Sequence, residues 1–487
     1  MRLFYQVVGA LVCASATCAM AQDAGPDRAH DIERLNQQLQ QTQSQLAESL
    51  RQIDELRKSV DELRKQVEAN QTSTNQTSSE PTTAAADQDP TFLAAKIDEM
   101  HQDKVESASK YPVKISGLVL FNSYWNNGYL DIQDLPNLAF AKFPGAPNPG
   151  VGATLRQTVL GIDATGPKVW GARSSASAEI DFAGGSPTTS FGVSTGLVRL
   201  RTAKVSLDWT HTSVVIGQDN LFFSPLSPTS YATMLEPALS WSGNLWVWTP
   251  GIVATHQIAL NTDSSLVFQG GVLDPLTEEA PPFQGRDATA AEATRTPAVA
   301  GRIAFDCSKA ARIPFTVGIG AYRAKQEYEA FPYVTSWTAN TDVKVGLGKH
   351  LEVSGEWYTG QAVGGLGGGI WTSVIYPEAS GPHSAVHPLR STGGWGQVKV
   401  IPASRFEING SFGQDENFGD SLRFFPTAFS SAGFFAMQKN RTELVNFIYK
   451  PSSALLFSVE YRHLFTQQAN AEGQPGDHLN LAAGVRF

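Results

Sequence analysis

Apolar and polar residues alternate with a period of two over most of this chain, and the pattern is cleanest at its end. Leu479, Leu481, Ala483, Val485 and Phe487 fall on one face of a predicted strand, and His478, Asn480, Gly484 and Arg486 on the other. The preceding strand sets Leu455, Phe457, Val459 and Tyr461 against Ser458, Glu460 and Arg462. Phe406, Ile408 and Phe412 oppose Arg405, Glu407, Asn409 and Ser411, and Leu351, Val353 and Trp357 oppose Glu352, Ser354 and Glu356. A period of two is the mark of a strand with two different surroundings on its two faces.

From Tyr111 onward the alternation predicts about sixteen strands of roughly ten residues, long enough to cross a bilayer when tilted. They begin near residues 113, 153, 172, 195, 212, 251, 264, 297, 313, 333, 350, 392, 403, 439, 453 and 477. Their connections alternate between short turns, such as Gly348 to His350 and Pro402 to Ser404, and long segments, such as 126–152, 220–250 and 359–391. The expected fold is an all-β transmembrane barrel of about sixteen antiparallel strands over residues 111–487, with short turns in the periplasm and long loops outside. One strand breaks the pattern: Arg199 and Arg201 fall in phase with Ala203, Val205 and Leu207, on the face that should meet lipid. A charge there costs about 2–4 kcal/mol at mid-bilayer, so either a bulge near Thr202 resets the phase, which is the preferred expectation, or these arginines sit at the outer rim or in a subunit contact.

Ahead of the barrel the period changes to seven. Ile32, Leu39, Leu46, Ile53, Val60 and Val67 hold one heptad position and Leu35, Leu56 and Leu63 the other, predicting a periplasmic α-helical coiled coil over residues 31–69. Residues 22–30 form a short N-terminal segment, and residues 70–110 a polar linker with a short helix possible through Leu93, Ile97 and Met100. Residues 1–21 read as a signal peptide, with Arg2, an apolar stretch from Val7 to Val12, and cleavage between Ala21 and Gln22.

Composition narrows the function classes. Mean hydropathy is -0.18, and no interior run supplies the roughly 20 apolar residues of a spanning helix. Cys307 is the one cysteine after the signal, so no internal disulfide is expected. Of the net charge of -9, residues 111–487 contribute -3, which excludes the basic surface that nucleic acid requires.

Candidate chemistry concentrates inside the predicted barrel. The segment Leu221 to Pro250 carries Phe222, Phe223, Tyr231, Met234, Leu235, Leu239, Trp241, Trp246 and Trp248, too many apolar residues for an exposed loop. It is expected to fold into the lumen over about 224–240 as a constriction, with Glu236 and Ser240 as its polar residues, and to form a membrane-boundary aromatic belt from Trp241 onward. Lumen-facing candidates are Asp163, Glu179, Asp181, Asp342, Glu352, Glu356, Glu407 and Glu460, against Arg156, Arg302, Lys344, Lys399, Arg405, Arg441, Arg462 and Arg486. Mixed charge across a narrow pore orients and screens polar solutes, although individual pairs on a solvated wall contribute little. His383 and His387 lack a third ligand, the glycines from Gly364 to Gly369 lack a phosphate-loop lysine, and no nucleophile motif occurs, so no metal, cofactor or catalytic residue is expected.

The heptads from Ile32 to Val67, Thr158-Val-Leu-Gly-Ile-Asp-Ala-Thr-Gly-Pro167, Ser206-Leu-Asp-Trp209, Ile216-Gly-Gln-Asp219 and Gly476-Asp-His-Leu-Asn-Leu-Ala-Ala-Gly-Val-Arg-Phe487 carry a resemblance to the DcaP-like trimeric outer-membrane porins of Gram-negative bacteria. It implies a homotrimer in outer-membrane lipid, a diffusion channel for small, often anionic solutes including dicarboxylates, and a terminal Phe487 read by the barrel-assembly machinery. The heptads alone lean to a dimer. Two other functions are compatible with the chain: an outer-membrane lipid or ester hydrolase, and an envelope tether.

Overall fold

The computed structural model describes residues 111–146, 149–185, 196–275, 288–307, 313–328, 333–375, 386–423 and 437–487. The signal peptide, the coiled coil, the linker and His383 lie outside these residues.

Sixteen strands form one sheet. They are β1 (Val113–Asn127), β2 in two pieces (Val151–Thr154 and Val159–Val169), β3 (Ala172–Asp181), β4 (Arg199–Asp208), β5 (Thr212–Asn220), β6 (Trp248–Ala259), β7 (Ser265–Leu273) and β8 (Ala298–Cys307). The rest are β9 (Phe315–Gln326), β10 (Val334–Leu347), β11 (Leu351–Gln361), β12 (Arg390–Ala403), β13 (Phe406–Asn417), β14 (Met437–Tyr449), β15 (Leu455–Gln468) and β16 (Gln474–Arg486). Each pairs antiparallel with its neighbours in sequence, and β1 pairs with β16, so the sheet closes into a barrel. Closure leaves no free edge, which is how an all-β structure satisfies every strand's backbone.

The two faces match the sequence alternation, with the usual distribution of polarity inverted. Val119, Ile319, Trp357, Val445, Leu481 and Val485 point outward and are exposed. Asn122, Asn340, Asn409, Asn446 and Asn480 point inward and are buried. Buried amides need partners: Asn122, Asn340 and Asn446 find them on chain folded into the lumen, and Asn409 and Asn480 on neighbouring side chains of the wall.

Two irregularities aim side chains inward. Between the pieces of β2, Thr158 turns its hydroxyl to accept the Leu120 amide at 3.1 Å, replacing a ladder bond. The interruption places Arg156 and Gln157 toward the interior. Between β3 and β4 the register passes from Glu179 opposite Thr202 to Ile180 opposite Leu200, leaving Arg201 as an extra residue. This is the bulge expected near Thr202, and both Arg199 and Arg201 bond to the lumen chain.

Candidate functional site

The segment between β5 and β6, residues 221–247, runs around the inner wall and crosses back over it. Its carbonyls and amides are met by inward side chains of successive strands. Asn340 donates to the Phe223 carbonyl, and Glu356 accepts from the Ser224 hydroxyl at 2.6 Å and the Leu226 amide at 2.7 Å. Gln397 accepts the Thr229 amide, Asn446 donates to the Thr229 carbonyl, and Glu460 accepts from Ser230 at 2.6 Å. Asn122 then donates to the Tyr231 carbonyl at 2.9 Å. Gln157 holds both the Ala232 carbonyl and the Met234 amide. A lumen segment without water on all sides needs this substitution of partners.

At β4 the loop meets the bulge. Arg201 donates to the Met234 carbonyl at 2.8 Å and Arg199 to that of Leu235. Arg199 also makes a bidentate pair with Asp181, and each guanidinium lies 4.9 Å from the Trp248 ring centre. Charge-assisted and cation–π contacts together fix these two cations and, through them, the loop. The return crossing is close: Gly243 has φ +93°, and a Cβ there would lie 2.3 Å from the Gly394 nitrogen. Only glycine fits both conditions.

Two further loops enter from the same rim. In the β1–β2 loop, Asp134 pairs with Arg156 at 2.6 Å, and Asn137 donates to Glu236 at 3.0 Å. One Asp131 oxygen accepts the amides of Asn137 and Leu138, and the other is buried without a partner. Burial pushes Asp131 up to about 6 despite those amides. Burial, with Asp131 adding to it, pushes Glu236 up to about 7 against the Asn137 bond. The β11–β12 loop presents Trp371, stacked on Trp241 with ring centres 4.9 Å apart. Trp241 and Leu245 thus belong to the folded-in segment, which corrects the expected belt from Trp241. Ile370, beside the stack, is buried against Leu138 and Met437, and Leu245 against Phe223 and Tyr322.

The predicted wall charges divide by position. Lys344, Glu352, Lys399 and Glu407 form a chain of alternating sign near the short-turn rim, at 3.2, 3.9 and 3.3 Å. Lys450 extends it at 3.2 Å from Glu407; its position in a turn, outside any alternating run, hid it from the sequence reading. Arg302 and Asp342 pair deep in the wall, as do Arg462 and Glu460. Asp163 is exposed on the lumen face opposite Lys114, and Arg486 reaches the Tyr231 hydroxyl at 3.2 Å.

Three candidates stand elsewhere. Arg441 is on the outward face of β14, beside Glu443 at 3.6 Å and over the Phe465 ring; the strand's inward set is Asn440, Thr442, Leu444 and Asn446. One-residue proximity to Asn440 misassigned it, since a shift of one reverses the face. Arg405 lies exposed in the β12–β13 turn. Ser240 is buried within the loop, its hydroxyl on the Pro237 carbonyl at 2.5 Å.

The inserted chain packs mainly on β8 to β16 and β1. The inner wall of β3 to β7 keeps half-exposed polar side chains, among them Glu179, the Lys204–Asp219 pair at 2.6 Å, Thr255 and Gln257. A cavity of about 120 Å³ opens there, lined by Asp219, Phe222, Thr255 and Gln269.

No protein-family model matches the chain, and no curated protein does. Solved structures do match in fold. The outer membrane channel DcaP of Acinetobacter baumannii is 18% identical with a TM-score of 0.56, over 78% of this chain and 99% of its own. OprB of Pseudomonas putida is 8% identical with a TM-score of 0.50, over 81% of this chain and 97% of its own. The chain therefore has the sixteen-stranded porin fold.

Proposed function

We propose that this protein is an outer-membrane porin, a passive diffusion channel for small hydrophilic solutes, set with its short turns toward the periplasm. The observation that carries the reading is the loop 221–247, held across the lumen by inward side chains while the β3–β7 wall keeps polar groups facing open space. An outward apolar surface on every side is stable in hydrocarbon and not in water. The narrowed passage would set the size limit, and wall charge the preference.

The solute class we propose is small and anionic, dicarboxylates included. Arg156, Arg199 and Arg201 gather where the loop meets β2 and β4, and the chain from Lys344 to Lys450 carries three lysines against two glutamates. Asp134, Asp181 and Glu179 offset the arginines, so the preference should be modest. We further propose a homotrimer, a periplasmic coiled coil over residues 31–69, and Phe487 as the assembly signal.

Planar-bilayer recording with the full chain tests the reading. Discrete conductance with a reversal potential shifted toward anions in a salt gradient is the expected result. Absence of conductance from folded protein would overturn it.

A further inference from the structure

Among the described residues of the outer surface, a cationic region on β9 to β12 differs in its pairing from the cations of β14. Elsewhere near the long-loop rim, outward cations face carboxylates: Lys439 meets Glu416 at 3.2 Å and Arg441 meets Glu443 at 3.6 Å. On β9, Arg323 and Lys325 are outward and exposed, and neither makes an ion pair among the described residues. Glu327, two residues beyond Lys325, is exposed and pairs with neither.

Their neighbours are aromatic. Arg323 stands directly across from Trp337 on β10, and Lys325 lies 5.4 Å from the Tyr333 ring centre. The cross-strand row continues from Trp337 through Gln361 on β11 to Arg390 on β12. Among the described residues, Arg390 meets Asp420 at 3.8 Å, with both side chains more than half exposed, and the Phe418 ring. At 4.8 Å per strand, the row holds cations about 15 Å apart with a Trp between them.

Beneath Arg390 the surface is furrowed. Gly394 and Gly396 on β12 leave an outward groove of about 390 Å³ between Trp357 and Phe412, with Gln414 and Thr392 at its upper end. Around it the belt is Val398, Val400 and Ile408, all exposed. The Arg390 end of a polar, cationic row thus sits above a channel in an apolar wall, the order of a lipid's headgroup and chain. Aromatic residues at that level match a membrane interface.

We propose that this face binds one molecule of a phosphate-bearing membrane glycolipid, its phosphates at Arg323, Lys325 and Arg390 and an acyl chain in the Gly394–Gly396 furrow. The assignment rests on the membrane-barrel reading above. The contrast with the neighbouring outward cations argues for a ligand here: two exposed cations on an interfacial row lack the counter-charge that Lys439 and Arg441 have. An anionic lipid supplies it.

Delipidated full-length protein, titrated with bisphosphorylated lipid A and with phosphatidylcholine and followed by native mass spectrometry, tests this. Lipid A should bind with a large preference over phosphatidylcholine. R323Q/K325Q should weaken lipid A about thirtyfold, at roughly fivefold per cation near an anionic headgroup. G396L should weaken both lipids by filling the furrow; a Cβ at Gly396 meets nothing within 4 Å, so the strand tolerates it. K439Q/R441Q, whose cations already face carboxylates, should change lipid A binding less than twofold. Equal binding of the two lipids, or an R323Q/K325Q variant that binds as wild type, would overturn the proposal. So would dissociation of an oligomer by R323Q/K325Q, which would assign the patch to a second copy. Conductance of the same preparations is read separately, so a silent barrel that still prefers lipid A refutes the channel and spares the lipid site.

Discussion

Gly117 and Phe487 exchange both backbone hydrogen bonds, at 3.0 and 3.1 Å, and a Cβ on Gly117 would lie 2.8 Å from the Phe487 ring. The last residue of the chain thus completes the seam between the first and last strands. Phe487→Ala should keep the backbone pairing and lose the ring over Gly117. Gly117→Val should also meet the Val159 carbonyl at 3.0 Å and destabilise by about 1–3 kcal/mol through overpacking. Heat-modifiable migration on gels, read against temperature, checks both, with the valine variant melting lower.

Removing Arg201 should loosen the constriction. Its bond to the Met234 carbonyl is of the charge-assisted kind, whose loss costs roughly 1.5–3 kcal/mol. R201Q, and more strongly R199Q/R201Q, should raise single-channel conductance about twofold with added current noise. Unchanged conductance would show that residues 232–235 hold their place without the bulge.

The contact between Asn137 and Glu236 should depend on pH. Glu236 is raised from 4.5 to about 7, so the folded protein holds this proton more tightly than the unfolded chain. Its favourable contribution is complete below about 4.5 and is lost as pH rises through about 7. Asp131, raised to about 6, acts in the same direction. Hydrogen exchange of residues 128–138 should therefore quicken between pH 6 and 8 beyond its intrinsic rise, and E236Q should reduce that excess to the part contributed by Asp131.

Gly243→Ala should unseat the return crossing. It combines a left-handed φ with a Cβ 2.3 Å from the Gly394 nitrogen, so backbone must move. A loss of more than about 2 kcal/mol is expected, seen as protease cleavage within 221–247 of an otherwise folded barrel.

Neutralising the lysine side of the wall chain should move selectivity toward cations. K344Q/K399Q removes both lysines that Glu352 meets and leaves Glu407 with Lys450. The reversal potential should shift in the cation direction by several millivolts in a tenfold salt gradient, and by less at high ionic strength.

The strands were legible because a wall with oil on one side and polar chain on the other imposes a period of two on every residue. Expected and observed starts at residues 113, 172 and 212 coincide. The bulge was legible too, since charges out of phase demand an explanation. Inward loops were recognisable from their apolar content, but their route was not: which amide meets Gln157 or Asn446 depends on barrel curvature that no local pattern encodes. Arg441 went astray where a strand's charged upper end leaves no apolar neighbour to set the phase. Lys450 and Arg405 show the same limit at turns.

Loop 221–247 draws its anchors from β1, β2, β4, β10, β11, β12, β14 and β15. Its shape is consequently written across the whole barrel and not within its own residues. Grafting this loop into another sixteen-stranded barrel should transfer neither its path nor its bore unless the inward amides and arginines travel with it, and a single wall substitution can retune the passage without touching the loop.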